Sequence, residues 1–146
     1  MKKRTQVLLY GIAFIILALI DAITLYMDFS EGYFDQIVHP DPTVQNVTNT
    51  ILYVILAWAV LSVLTGFYFG IKGIADSRGP FGSRLHIFLA RVIGIINVIM
   101  LIILGLSLLD STDLWYDLET ISLCLVDIIL MFSYANAAKA VHNGEL

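Results

Sequence analysis

The chain has little charge, three prolines and a single cysteine, and these shortages exclude several classes of protein. Charged residues make up 14% of its 146 residues, whereas apolar residues make up 59%, a balance far from that of water-soluble domains. The lone Cys124 has no partner for an internal disulfide, which excludes a disulfide-stapled scaffold. A formal net charge of −4 gives almost no support to nucleic-acid binding, and we expect no nucleic-acid partner.

Sequence motifs that carry catalytic chemistry are also missing. There is no His-Glu-x-x-His, no Gly-x-Ser-x-Gly and no phosphate-binding glycine loop. We expect His39 outside the membrane and His86 and His142 on the cytoplasmic side, so no pair faces the bilayer interior as bis-histidine haem ligation requires. The sequence therefore predicts a protein that is not an enzyme and has no cofactor and no metal site.

Four long apolar runs are what the sequence contains instead. They cover residues 7–27, 50–71, 85–109 and 118–138. Each is long enough for a helix to cross a hydrocarbon core of roughly 30 Å. The connections are polar, with external loops at 28–49 and 110–117 and a cytoplasmic loop at 72–84. Because these connections are short, the sequence predicts an all-α integral membrane protein, with residues 1–146 forming one domain of four transmembrane helices in an antiparallel up-down-up-down bundle.

The basic residues all fall at one face of that bundle. They are Lys2, Lys3, Arg4, Lys72, Arg78, Arg84, Arg91 and Lys139. Cytoplasmic connections of membrane proteins carry an excess of lysine and arginine, so both termini and the middle connection are expected to be cytoplasmic. Eight of the twelve acidic residues then lie on the other side. We expect a multi-pass protein of the cell (inner) membrane.

Polar residues inside the apolar runs are the candidate functional residues. Asp21 and Asp127 lie at a similar depth, about 10 to 12 Å below the outer ends of the first and fourth helices, with Thr24 one turn outward from Asp21 and Asn97 somewhat deeper. A carboxylate in hydrocarbon is expensive and often functional. Asp21, Asp127 and Asn97 are predicted either to meet at a proton or cation site, where the carboxylates share one proton, or to hold helices together.

Small residues predict close helix contacts. Gly66 and Gly70 form one small-xxx-small pair, and Ala18 and Ala22 form another. Such pairs let helix backbones approach each other. They are interpreted as helix-packing surfaces or as a face for a partner protein.

Two functions are consistent with these features. The first is a non-catalytic accessory or scaffolding subunit of a larger membrane assembly, since little of the chain lies outside the four spans. The alternative is a small oligomeric ion- or proton-coupled transporter or channel that uses the intramembrane carboxylates. In either case the expected partners are the lipid bilayer and a membrane protein or further copies of this chain.

The predicted topology can be tested by labelling single cysteines in a Cys124→Ala background. Cysteines at Asp41 and Thr112 should react with an impermeant thiol reagent added to intact cells, whereas cysteines at Ser77 and Asn143 should not, because every basic residue lies on their side. Labelling at Ser77 in intact cells would overturn the orientation.

Overall fold

The computed structural model describes residues 2–39, 41, 46–79, 83–107 and 114–145, with the backbone alone described at 46–48, 51, 104, 107, 114–117, 119 and 120. Every regular element among these residues is an α-helix. The helices are α1 (Lys3–Ser30), α2 (Asp35–Val38), α3 (Asn46–Arg78), α4 (Leu85–Ser107) and α5 (Leu114–His142). Four of them, α1, α3, α4 and α5, are long and apolar enough to cross a membrane. The predictions of a helical fold and of four membrane-compatible helices are therefore confirmed.

The helices extend beyond the apolar runs that predict them. α3 continues through Arg78 into the predicted cytoplasmic loop, and α5 begins at Leu114, inside the predicted external turn. Hydropathy marks where a span leaves the hydrocarbon, but a helix ends only where its backbone bonding is interrupted. After Lys72 the sequence contains helix-compatible residues as far as Gly79-Pro80, so helical bonding persists past the apolar run.

The end of α1 is fixed by a glycine cap. Gly32 has a φ of 81°, and its N–H donates to the carbonyl of Phe29, while the N–H of Tyr33 donates to the carbonyl of Asp28. These two bonds form a Schellman motif, in which the left-handed residue is nearly always glycine. Phe34 follows and is buried, with its ring centroid 4.9 Å from that of Phe29.

The described chain divides into two compact units, of which one comprises residues 12–71. In this unit α1 and α3 pack through small and aromatic residues. A Cβ built on Gly66 would lie 2.8 Å from the Cβ of Ala18, and the rings of Phe14 and Phe69 are 5.5 Å apart. The missing side chain of Gly66 therefore permits close approach of the two helices.

The other unit comprises Met1–Gly11 and Lys72–Leu146. Here α4 packs along α5, and a ring edge of Phe132 fills the space beside Gly94. The buried face of α5 is rich in alanine. Its buried members are Ala135, Ala137, Ala138 and Ala140. The start of α1 also contacts the end of α3, because a Cβ on Gly73 would lie 2.8 Å from the Cα of Gly11. That residues 1–146 form a single domain stays a prediction.

Large apolar side chains point outward along the four long helices. Examples that are more than half exposed are Ile16, Ile23, Leu64, Leu106 and Ile129. A water-soluble protein rarely exposes apolar surface on this scale, whereas in a bilayer the same surface contacts lipid chains and is not exposed to water. The outward faces thus agree with a multi-pass membrane protein.

The contact between Gly73 and Gly11 gives a test of helix packing. Gly73→Ala places a methyl group against backbone, so we expect a loss of about 1–3 kcal/mol in unfolding free energy. The matched control is Gly105→Ala, because a Cβ at Gly105 has nothing within 4 Å. Unfolding in a denaturing detergent, followed by circular dichroism, provides the measurement. Equal stability of the two variants would contradict the packing.

Candidate functional site

Asp21, one of the two predicted intramembrane acids, has a defined partner. The hydroxyl of Ser62 on α3 donates a hydrogen bond of 2.7 Å to Oδ2 of Asp21 on α1. Asp21 is partly buried, so this bond holds two helices together where water is scarce. Hydrogen bonds of this kind join membrane helices in the absence of any transport role.

The other predicted polar residues occupy different surroundings. Asn97 on α4 is buried, and its backbone carbonyl accepts a hydrogen bond from the thiol of Cys124 on α5, with a sulfur–oxygen distance of 3.3 Å. Asp127 is partly buried, whereas Thr24 is exposed. Asp21 and Thr24 belong to one compact unit and Asn97 and Asp127 to the other. A common site formed by Asp21, Asp127 and Asn97 therefore stays a prediction.

The small residues singled out in the sequence lie largely inside the α1–α3 contact. Gly66 faces Ala18 directly, and Ala18 and Gly70 are buried, while Ala22 is partly exposed. The surface over Gly66 is thus occupied by this chain's own helix. A partner protein would have to contact other helix faces.

A cluster of three titratable side chains forms a second candidate site, which we name the Asp76 cluster: Asp76, His86 and His142. Oδ2 of Asp76 lies 2.7 Å from Nε2 of His86 and 3.1 Å from Nε2 of His142. The side chains of Asp76 and His86 are fully buried, and that of His142 is 5% exposed. The three come from the end of α3, the start of α4 and the end of α5, and all belong to the same compact unit.

The hydrogen bonds of His86 require a proton or a cation between its ring and Asp76. Nδ1 of His86 lies 3.0 Å from the backbone carbonyl of Ser83; a carbonyl only accepts, so Nδ1 carries the hydrogen. Nε2 then faces a carboxylate oxygen at 2.7 Å. Two lone pairs repel at that distance, so a proton on one of the two atoms, or a cation between them, must compensate.

The helix ends that carry the cluster are individually fixed. The Ser83 hydroxyl accepts a hydrogen bond from the N–H of Leu85 and so caps α4, while the Ser83 carbonyl orients the His86 ring. α5 ends at His142, and two residues later Gly144 has a φ of 86° and forms a Schellman bond pair that caps the helix. Arg84 also donates to the carbonyl of His142.

One atom of the cluster lacks a partner. Oδ1 of Asp76 is buried and has no hydrogen-bond partner among the residues that the structure describes. A buried carboxylate oxygen without a partner costs roughly 1–3 kcal/mol or more. The arrangement therefore joins three helix ends through one carboxylate and retains an acceptor that can take a further ligand.

Sequence reasoning missed this cluster. The expectation of no metal site rests on the location of the histidines, since no pair of them faces the bilayer interior, and it assigns no role to Asp76. The signal was weak, because Asp76 is separated from His86 by 10 positions and from His142 by 66. It becomes visible only when the predicted topology is used, since the inner ends of three helices must then lie at one membrane face.

Comparisons with known proteins do not extend this description. The chain matches no protein-family model, no curated protein and no solved structure. The Asp21–Ser62 bond and the Asp76 cluster are the two polar arrangements that bear on function.

The Asp21–Ser62 bond predicts an energetic coupling between α1 and α3. A double-mutant cycle of Asp21→Ala and Ser62→Ala should give a coupling of roughly 0.6 kcal/mol and no more than about 1.7 kcal/mol, as measured for interhelical bonds in membranes. Unfolding free energies in detergent provide the data. The control cycle combines Asp21→Ala with Thr65→Val in place of Ser62→Ala, because the Thr65 hydroxyl donates to the backbone of its own helix. Equal coupling in both cycles would refute the interhelical bond.

Proposed function

We propose that this chain is a multi-pass protein of the cell membrane that acts as a non-catalytic accessory or scaffolding subunit of a larger membrane assembly. Both termini are placed in the cytoplasm by this proposal, with four spans that alternate in direction. The one-sided distribution of basic residues supports the orientation.

The alternating arrangement is supported by contacts within each compact unit. Along α1, Phe14, Ala18 and Asp21 meet Phe69, Gly66 and Ser62 of α3, so residue numbers rise on one helix as they fall on the other. Between α4 and α5 the same reversal relates Gly94 to Phe132 and Asn97 to Cys124. This order of contacts, in α1 with α3 and in α4 with α5, is the order that two antiparallel helices would have.

The observation that carries the functional proposal is the hydrogen bond from Ser62 to Asp21. An acid in a membrane span serves either as a site for an ion or proton or as a contact between helices. The Asp21 carboxylate makes a contact of the second kind. The apolar outward faces then remain as the principal surface with which the protein can act, which favours a subunit that binds other membrane helices.

The Asp21→Asn variant separates a scaffold from a transporter. Asparagine keeps an oxygen that accepts the Ser62 hydrogen bond but removes the charge. A scaffold should therefore retain its folding and its yield of any stoichiometric partner within about twofold. Purification in mild detergent, with partner yield determined by mass spectrometry, provides the measurement.

A transporter would give a different result. Proteoliposomes that contain only this chain would then show ion-dependent flux, and Asp21→Asn or Asp127→Asn would abolish it. Such flux from the purified chain, lost in either variant, would defeat the scaffold proposal. Asp127→Asn serves as the parallel variant because Asp127 is the second acid within the spans.

A further inference from the structure

We propose that the Asp76 cluster is a binding site for a divalent transition-metal cation of the zinc class. The ligand atoms are one carboxylate oxygen and two imidazole Nε2 atoms, and all three lie within 4.8 Å of one another. Two histidines and one carboxylate form a recurrent protein donor set for zinc and for other borderline divalent metals. This proposal is independent of the scaffolding role, because no residue of the cluster lies among those that carry it.

The spacing of the donors is close to what coordination requires. With metal–ligand bonds of about 2.0–2.2 Å in a tetrahedral arrangement, ligand atoms stand about 3.4 Å apart. The distances from Asp76 Oδ2 to the two histidine nitrogens are 2.7 and 3.1 Å. Side-chain rotations that open these contacts by a few tenths of an ångström make room for a cation.

The charges of the cluster also favour a cation. The carboxylate is fully buried and its Oδ1 has no hydrogen-bond partner among the described residues. The same carboxylate faces two nitrogen atoms, and the Ser83 contact of His86 Nδ1 leaves Nε2 of that ring to share either a proton or a cation with Asp76. A divalent cation satisfies both nitrogens and the carboxylate together, and it replaces the proton that the metal-free contact needs.

The surroundings resemble those of a formed metal site. Metal-binding histidines commonly donate their other ring N–H to a backbone carbonyl or carboxylate, which orients the ring. His86 has this arrangement through the Ser83 carbonyl. The position of His142 is stabilised by the glycine cap at Gly144 and by the bond from Arg84 to its carbonyl. The His86 ring and the backbone of His142 are therefore oriented by contacts that do not need a cation.

The donor chemistry defines the class of metal. Imidazole nitrogen favours Zn²⁺, Co²⁺, Ni²⁺ and Cu²⁺, whereas Mg²⁺ and Ca²⁺ prefer ligand sets made of oxygen alone. Three protein ligands leave a fourth tetrahedral position for water or another small ligand. A bound cation would cross-link the ends of α3 and α5 to the start of α4.

The test uses the full-length chain in detergent, with its affinity tag removed and bound metal stripped by a chelator. Co²⁺ serves as the probe because four-coordinate Co²⁺ with nitrogen and oxygen ligands absorbs visible light, and Zn²⁺ is then added to displace it. We expect one Co²⁺ per chain, displaced by Zn²⁺ in equal amount. His86→Ala and His142→Ala should weaken binding at least ~100-fold, since they remove direct ligands.

Two further variants distinguish metal binding from simple hydrogen bonding. His39→Ala is the matched control, because His39 is exposed and lies outside the cluster; it should bind Co²⁺ as the wild type does. Asp76→Asn keeps the shape of the side chain and one acceptor oxygen but removes the charge, so it should stay folded by circular dichroism and size exclusion. It should nevertheless lose at least ~tenfold in affinity. Zn²⁺ should raise the Tm of the wild type and of His39→Ala but not that of Asp76→Asn.

Clear results would overturn the proposal. A folded wild-type protein that shows no saturable Co²⁺ or Zn²⁺ binding would identify the cluster as a proton-held contact between helices. Equal metal affinity in wild type and Asp76→Asn would place any bound metal elsewhere. If the alanine variants do not fold, the comparison of wild type, His39→Ala and Asp76→Asn decides the question alone.

Discussion

The shortage of hydrogen-bond partners in hydrocarbon is the constraint on which the rest of this structure depends. Backbone groups must be satisfied within their own segment, so each span is a helix. Side-chain hydroxyls follow the same rule: Thr65 and Ser122 donate to carbonyls of their own helices. Ser62 instead donates across the helix contact to an acid, Asp21. This bond makes a carboxylate that is costly in hydrocarbon a link between α1 and α3.

Close helix contacts depend on residues that have little or no side chain. Gly66 against Ala18, and Gly73 against Gly11, bring α1 to the surface of α3. On α5 the buried alanines leave one helix face with small side chains, which permits close packing. Without a hydrophobic force to drive helices together in lipid, such contacts and a few hydrogen bonds supply most of the specificity. The Asp76 cluster adds a polar link at the ends of α3, α4 and α5.

The helical architecture was predictable to a large extent, and the polar site was not. Apolar runs over 7–27 and 50–71 correspond to the cores of α1 and α3, because hydropathy reports directly on membrane-compatible length. The same runs underestimate the length of the helices, since α3 continues through polar sequence to Arg78. The Asp76 cluster escaped prediction because its ligands are far apart in sequence and only their helix ends meet. Asp21 stands out in the sequence as an acid within a span, whereas nothing in the sequence marks its partner Ser62.

Sequence by itself determined that this is a helical chain with four membrane-compatible helices, because length and apolar composition are local properties that need no partner. It also provided the charge asymmetry that orients the proposed topology. Tertiary structure alone decided which polar groups meet: Asp21 with Ser62, and Asp76 with His86 and His142. The physical reason is that a hydrogen bond or a coordination site depends on distances of a few ångströms between side chains, and residues tens of positions apart acquire such distances only when helices pack.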